Sequence, residues 1–171
     1  MVMRKSLIVA ALALGASAAV QNAVADPGDS ARWQSVIGVA QGNSVVGSGT
    51  GAVTGAPGPW SAQFGSAGAD LARGDVHFDV RGLVLAGGNS IGTPGTVLEV
   101  KGTLVCDTNG SASGGNSVLV DTPLVTLDDE GNAQFHGSVG PLPPVCASEP
   151  DIAFLIRTAS GRWIGNGAVL R

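Results

Sequence analysis

The chain has 171 residues, with 27 glycines, four Phe, three Trp, no Tyr, and 13 acidic against nine basic side chains. That acidic balance excludes a nucleic-acid or anionic-membrane surface built on clustered Lys and Arg. The length allows one domain with a sizeable core.

The N-terminus reads as a secretory signal peptide. Arg4 and Lys5 precede the apolar run Leu7 to Leu14, and small residues lead to Ala23-Val24-Ala25. Gly15, Ser17, Gln21 and Asn22 interrupt the run before it reaches the roughly 20 apolar residues of a spanning helix. Cleavage after Ala25 is expected to release residues 26–171 as one secreted or periplasmic domain with no membrane attachment. The released chain keeps seven basic and all 13 acidic residues, a formal charge of −6. Lys occurs only at Lys5 and Lys101 beside abundant Ala, Val and Gly, the bias of a GC-rich bacterial genome.

From residue 26 to about 73 the chain is rich in Gly, Ala and Ser and is expected to be irregular but partly packed. Trp33 to Val39 predicts a strand with Trp33, Ile37 and Val39 on one face. Gly47-Ser48-Gly49-Thr50-Gly51 and Ala56-Pro57-Gly58-Pro59 are loop chemistry. Trp33, Trp60 and Phe64 are the residues expected to dock this segment on a core.

Residues 74–171 read as successive strands. Val76, Phe78 and Val80 alternate with His77, Asp79 and Arg81, the period of a half-buried strand. Beyond Gly82 the apolar phase shifts to Leu83 and Leu85, so a bulge is expected there. Leu98, Val100, Leu104 and Cys106 share one face, which turns the Cys106 sulfur inward; Glu99, Lys101 and Thr103 share the other. Ser117 to Leu127 predicts an edge strand because Pro123 lacks a ladder donor. Asp128-Asp129-Glu130-Gly131-Asn132 is a polar turn leading to Phe135, Gly137 and Val139. Ile152, Phe154 and Ile156 face Trp163, Ile164 and Val169 across a hairpin at Ser160-Gly161. Gly-Asn-Ser recurs at Gly42, Gly88 and Gly115 at unequal spacing, which marks turns rather than a solenoid. The expected class is all-β, an antiparallel β-sandwich or barrel-like Greek key. Two cysteines in an exported chain, Cys106 and Cys146, predict one disulfide.

Four segments carry possible chemistry. Gly88-Asn89-Ser90-Ile91-Gly92 matches G-x-S-x-G, followed by Asp121 or Asp128 and then His136 in the order of a hydrolase triad. Thr93-Pro94-Gly95 follows at once and precludes the helix that such an elbow needs, so a hairpin loop is expected. Asp75, His77, Asp79 and Arg81 share a strand face. Two flanking carboxylates would raise the His77 pKa. With His136 on a neighbouring strand, these residues form a candidate polar patch of Asp75, His77, Asp79 and His136. Two histidines sharing a metal need ring nitrogens within about 8 Å, given ligand distances near 2 Å. The acidic turn at Asp128 lacks calcium-loop spacing. The rigid Pro141-Leu142-Pro143-Pro144-Val145-Cys146 segment either routes the chain or serves as a recognition loop, for instance against a protease.

No nucleophile, base and oxyanion donor come together, and nothing calls for a cofactor or a resident metal. The expectation is a non-enzymatic domain with a binding or structural role towards an extracellular ligand or protein. The alternatives are a metal- or acid–base-dependent hydrolase using His77 and His136, and an inhibitor-like module using residues 141–146.

Overall fold

A computed structural model describes residues 29–148 and 151–170. The segment read as a signal peptide, residues 1–25, lies outside the described residues, as does the side chain of Val169. Strand makes up 48% of the chain and helix 5%. In chain order the elements are β1 (Ser30–Gly38), β2 (Val45–Val46), β3 (Val53–Thr54), β4 (Trp60–Ser61), β5 (Phe64–Asp70), β6 (Asp75–Arg81) and β7 (Val84–Leu85). They continue as β8 (Glu99–Cys106), β9 (Val118–Asp121), β10 (Val125–Thr126), β11 (Ala133–Ser138), the five-residue helix α1 (Pro144–Ser148), β12 (Ile152–Thr158) and β13 (Trp163–Leu170).

One antiparallel sheet in the order β10-β8-β12-β13-β1-β5-β6-β11, with β9 also on β8, curls into a half-barrel. Two small ribbons, β2-β3 and β4-β7, complete it. The expected all-β, barrel-like class is the one observed. The edge strands β10 and β11 are joined by the 127–132 turn but share no ladder, which leaves a seam. Trp33, Phe78 and Phe154 meet inside the curl, with ring centroids 5.5 and 5.9 Å from Phe154.

The Gly/Ala/Ser-rich segment supplies β1 and β5 to the middle of this sheet. Its remainder forms a second layer on the outer face of β8 and β12. Thr103, Val105 and Leu155 alternate with the core residues Leu104 and Phe154, yet they too are buried. Above them, Ser48 N–H donates to Ser117 Oγ at 2.8 Å and Trp163 Nε1 donates to Ser44 O at 3.1 Å. A Cβ at Gly51 would stand 1.9 Å from Ser117 O, so only glycine lets the backbones meet that closely.

Three phase readings need correction. Ile37 points outward, 49% exposed, while Val36 is buried. The β5 ladder ends at Trp33↔Ala67, and Val36 packs on Gly65. Three residues of β1 thus span two of β5, a bulge that flips the facing. Leu98 is 69% exposed because β8 begins only at Glu99; the preceding turn directs Val97 against the core instead. Gly82, at φ +61°, ends β6 rather than bulging it, and Val84–Leu85 leaves to pair with β4.

On the outer face of β8, Asp121 accepts from Thr103 Oγ1 at 2.7 Å, from Arg157 Nη1 at 3.1 Å and from Lys101 Nζ. Burial disfavours its charge, but the Lys101 and Thr103 hydrogen bonds and the Arg157 and Lys101 charges outweigh this. The carboxyl is held below its ordinary value. A depressed carboxyl stabilises the fold above its unfolded pKa, about 4, and loses that contribution as pH falls through the folded value. Asp121→Asn would leave Lys101 and Arg157 as half-buried cations without a counter-charge. It is expected to cost about 1–2 kcal/mol at neutral pH, a loss moderated because water reaches Asp121. Thermal unfolding as a function of pH checks this: the gap to wild type narrows below about pH 4, and a pH-independent gap would contradict the ionic origin.

Candidate functional site

The period of two in β6 and β11 turns Val76, Phe78 and Val80 inward and leaves His77 and His136 outside. Antiparallel register then arranges the outer face in rungs. Arg32, Gly68, His77 and His136 form one rung across β1, β5, β6 and β11. Ser66, Asp79 and Gln134 form the next, and Phe64 stands opposite Arg81 beyond it. On the other side lies the rung Ser30, Asp70, Asp75 and Ser138.

Small residues on β5 hollow this face into a trough. One depression, about 600 Å³, opens between Arg32, Gln34, Ser66 and His77. A second, about 700 Å³, opens between Ser66, His77, Asp79, Gln134 and His136. The His77 ring forms the ridge between them and lies down over Gly68. A Cβ at position 68 would stand 2.5 Å from its Cε1 and 2.9 Å from its Nε2.

His77 and His136 thus meet, with ring centroids 6.2 Å apart at 69°. Of the two carboxylates of the expected patch, Asp79 lines the same depression as both rings, but neither is hydrogen-bonded to an imidazole among the described residues. Asp79 engages both oxygens with Arg81, at 2.8 and 3.2 Å, and Asp75 sits a rung away opposite Asp70. The His77 pKa is lowered, not raised as its two flanking carboxylates suggested. Partial burial of the ring is the largest cause, followed by the His136 and Arg32 charges. Among the described residues no three His, Cys, Asp or Glu could hold a metal ion.

The other candidates resolve into structure. Gly88 to Gly92 is an exposed turn between β7 and β8, where Thr93 Oγ1 donates to Ser90 O at 2.9 Å. Asp128 accepts from Asn132 N at 2.7 Å and Glu130 N at 3.1 Å, so its carboxylate closes its own turn. Those backbone hydrogen bonds, Asn132 first, hold its carboxyl below the usual range. In the proline segment, Leu142 and Val145 pack on the core and Cys146 is fully buried.

The chain matches no family model, no curated protein and no solved structure. The site therefore rests on its own geometry. Arg32, Gln34, Ser66, Gly68 and Gln134 were missed in the sequence. The available signal was the alternation Phe64, Ser66, Gly68, Asp70 against Gly65, Ala67, Ala69, which is faint because glycine and alanine carry little hydrophobic contrast.

Proposed function

We propose that this is an exported, non-enzymatic binding domain that uses the trough over β5 as its ligand surface. The observation carrying this reading is the state of the trough's polar side chains. The side chains of Arg32, Gln34, Ser66, Gln134 and both histidines make no hydrogen bond among the described residues. They line a small-residue floor, whereas the Lys101, Thr103, Asp121 and Arg157 side chains saturate one another. Free donors and acceptors on rigid strands suit a polar, hydrogen-bonding ligand. The exposed Phe64 at one end adds an apolar face. Export is supported by the N-terminal pattern and by a disulfide, and no helix among the described residues is long and apolar enough to cross a membrane. Acid–base catalysis is less well supported, since among the described residues neither imidazole is hydrogen-bonded to a carboxylate that would orient it.

The test is a titration of the exported, oxidised protein with soluble oligosaccharides, followed by amide chemical shifts and thermal unfolding. Saturation at about 100 times the dissociation constant adds roughly 2.7 kcal/mol and raises the midpoint by several degrees. Shifts should concentrate at residues 66–68, 77–79 and 134–136. A bound ligand whose shifts map to another face would remove the trough from consideration.

A further inference from the structure

We propose that the rung Arg32–Gly68–His77–His136 binds an oxyanion group of the ligand, a phosphate, sulfate or carboxylate. This rests on the trough being the binding surface and names the chemistry at its centre.

Three cation-capable side chains share this rung. Arg32 and His136 both repel a proton on His77. Among the described residues no carboxylate bonds to any of the three. Like-charged groups in register destabilise a sheet unless something neutralises them, and an anion at this place would do so.

The geometry fits. The His77 edge carrying Nε2 lies over Gly68, the residue that pairs with Arg32. The imidazole and the guanidinium therefore flank the depression that Gln34 and Ser66 also line. The His77 ring reaches over β5, so one strand spacing, roughly 5 Å, separates it laterally from the β1 backbone that carries Arg32. A tetrahedral oxyanion about 2.5 Å across takes charge-assisted hydrogen bonds of about 2.8 Å, and the long Arg32 side chain has the reach to meet it from the β1 side of the depression. Gly68 is what lets the His77 ring lie there, because a Cβ at that position would strike it.

The surrounding charges set the strength. On β6, Asp79 is neutralised by Arg81, while Asp75 has no cation partner among the described residues. On β5, Asp70 faces Arg73 at 3.8 Å. On β1 and β11 the charged or titratable groups of this face are Arg32 and His136. Asp75 alone opposes the anion without compensation. Binding is therefore favourable, salt-sensitive and tighter when His77 is protonated.

The experiment titrates the exported, oxidised protein with sulfate, inorganic phosphate and glucuronate at constant ionic strength, read by histidine ring and backbone NMR shifts. Sulfate keeps its charge across the range, so its affinity should rise severalfold as pH falls through the lowered His77 value and that ring gains its proton. Arg32→Gln should weaken it about tenfold, the loss of one charge-assisted contact. Asp75→Asn should tighten it severalfold, a gain that general damage to the fold would not produce. Equal sulfate affinity in wild type and Arg32→Gln overturns the proposal. If neutral oligosaccharides move the trough amides and none of the anions does, the oxyanion site falls and the trough reading stands. If the anions bind only on another face, the oxyanion site falls as well. The relative affinities of the three anions then identify which group the natural ligand carries.

Discussion

Replacing Phe154 with Ala is expected to destabilise the domain by about 3–5 kcal/mol, the range for removing a fully buried aromatic ring. The side chain has no exposed surface and lies between Trp33 and Phe78, so three of the chain's seven aromatic rings meet at this point. Part of the ring rests on backbone: a Cβ at Gly102 would come 3.0 Å from both Phe154 and Phe78. Backbone in the middle of a hydrogen-bonded sheet collapses poorly into a void, which places the loss towards the upper end of the range. The thermal midpoint should fall by roughly 10 °C or more. Phe154→Leu, which retains much of the volume, should cost about half as much. A loss below about 1 kcal/mol for Ala would mean that the three rings are not the centre of the core.

The same residues show what alternation can and cannot reveal. It places Phe78 inward and His77 outward because successive strand side chains take opposite faces. It cannot say which strand lies beside which, and the His77–His136 encounter depends on β6 and β11 being neighbours. Pairing between β1 and β5 is equally hidden, although it brings Arg32 into the rung. Where the ladder carries an extra residue, the period misleads, and Ile37 and Val36 exchange roles. Thr103 reads as a solvent-facing residue only if nothing covers β8. The cover is the glycine-rich segment, whose packing depends on missing side chains and so leaves no hydrophobic pattern. For His77, a neighbouring carboxylate in sequence is not a partner in space, because Asp79 turns to Arg81.

The second large effect is expected from the disulfide. Cys106 and Cys146 are both fully buried, with sulfurs 2.07 Å apart, and enclose a loop of 40 residues. Cross-linking a loop of that length restricts the unfolded chain by about 4 kcal/mol in the entropy model. The bridge also ties the connection between β11 and β12, where Cys146 lies in α1, to Cys106 at the end of β8. The double substitution Cys106→Ala with Cys146→Ala should lower stability by about 4 kcal/mol. Denaturant unfolding in parallel with the oxidised protein measures this, and a difference within about 1 kcal/mol would show that the sheet holds this connection in place without the bridge. Reductant should act slowly on the native protein, because buried sulfurs are reached only after opening, and should leave it with the stability of the double variant. A chain beginning at Asp26 and produced in a reducing cytoplasm should show the same deficit. The deficit should disappear when residues 1–25 direct the chain to an oxidising compartment, so one stability measurement tests both the staple and the reading of the N-terminus as an export signal.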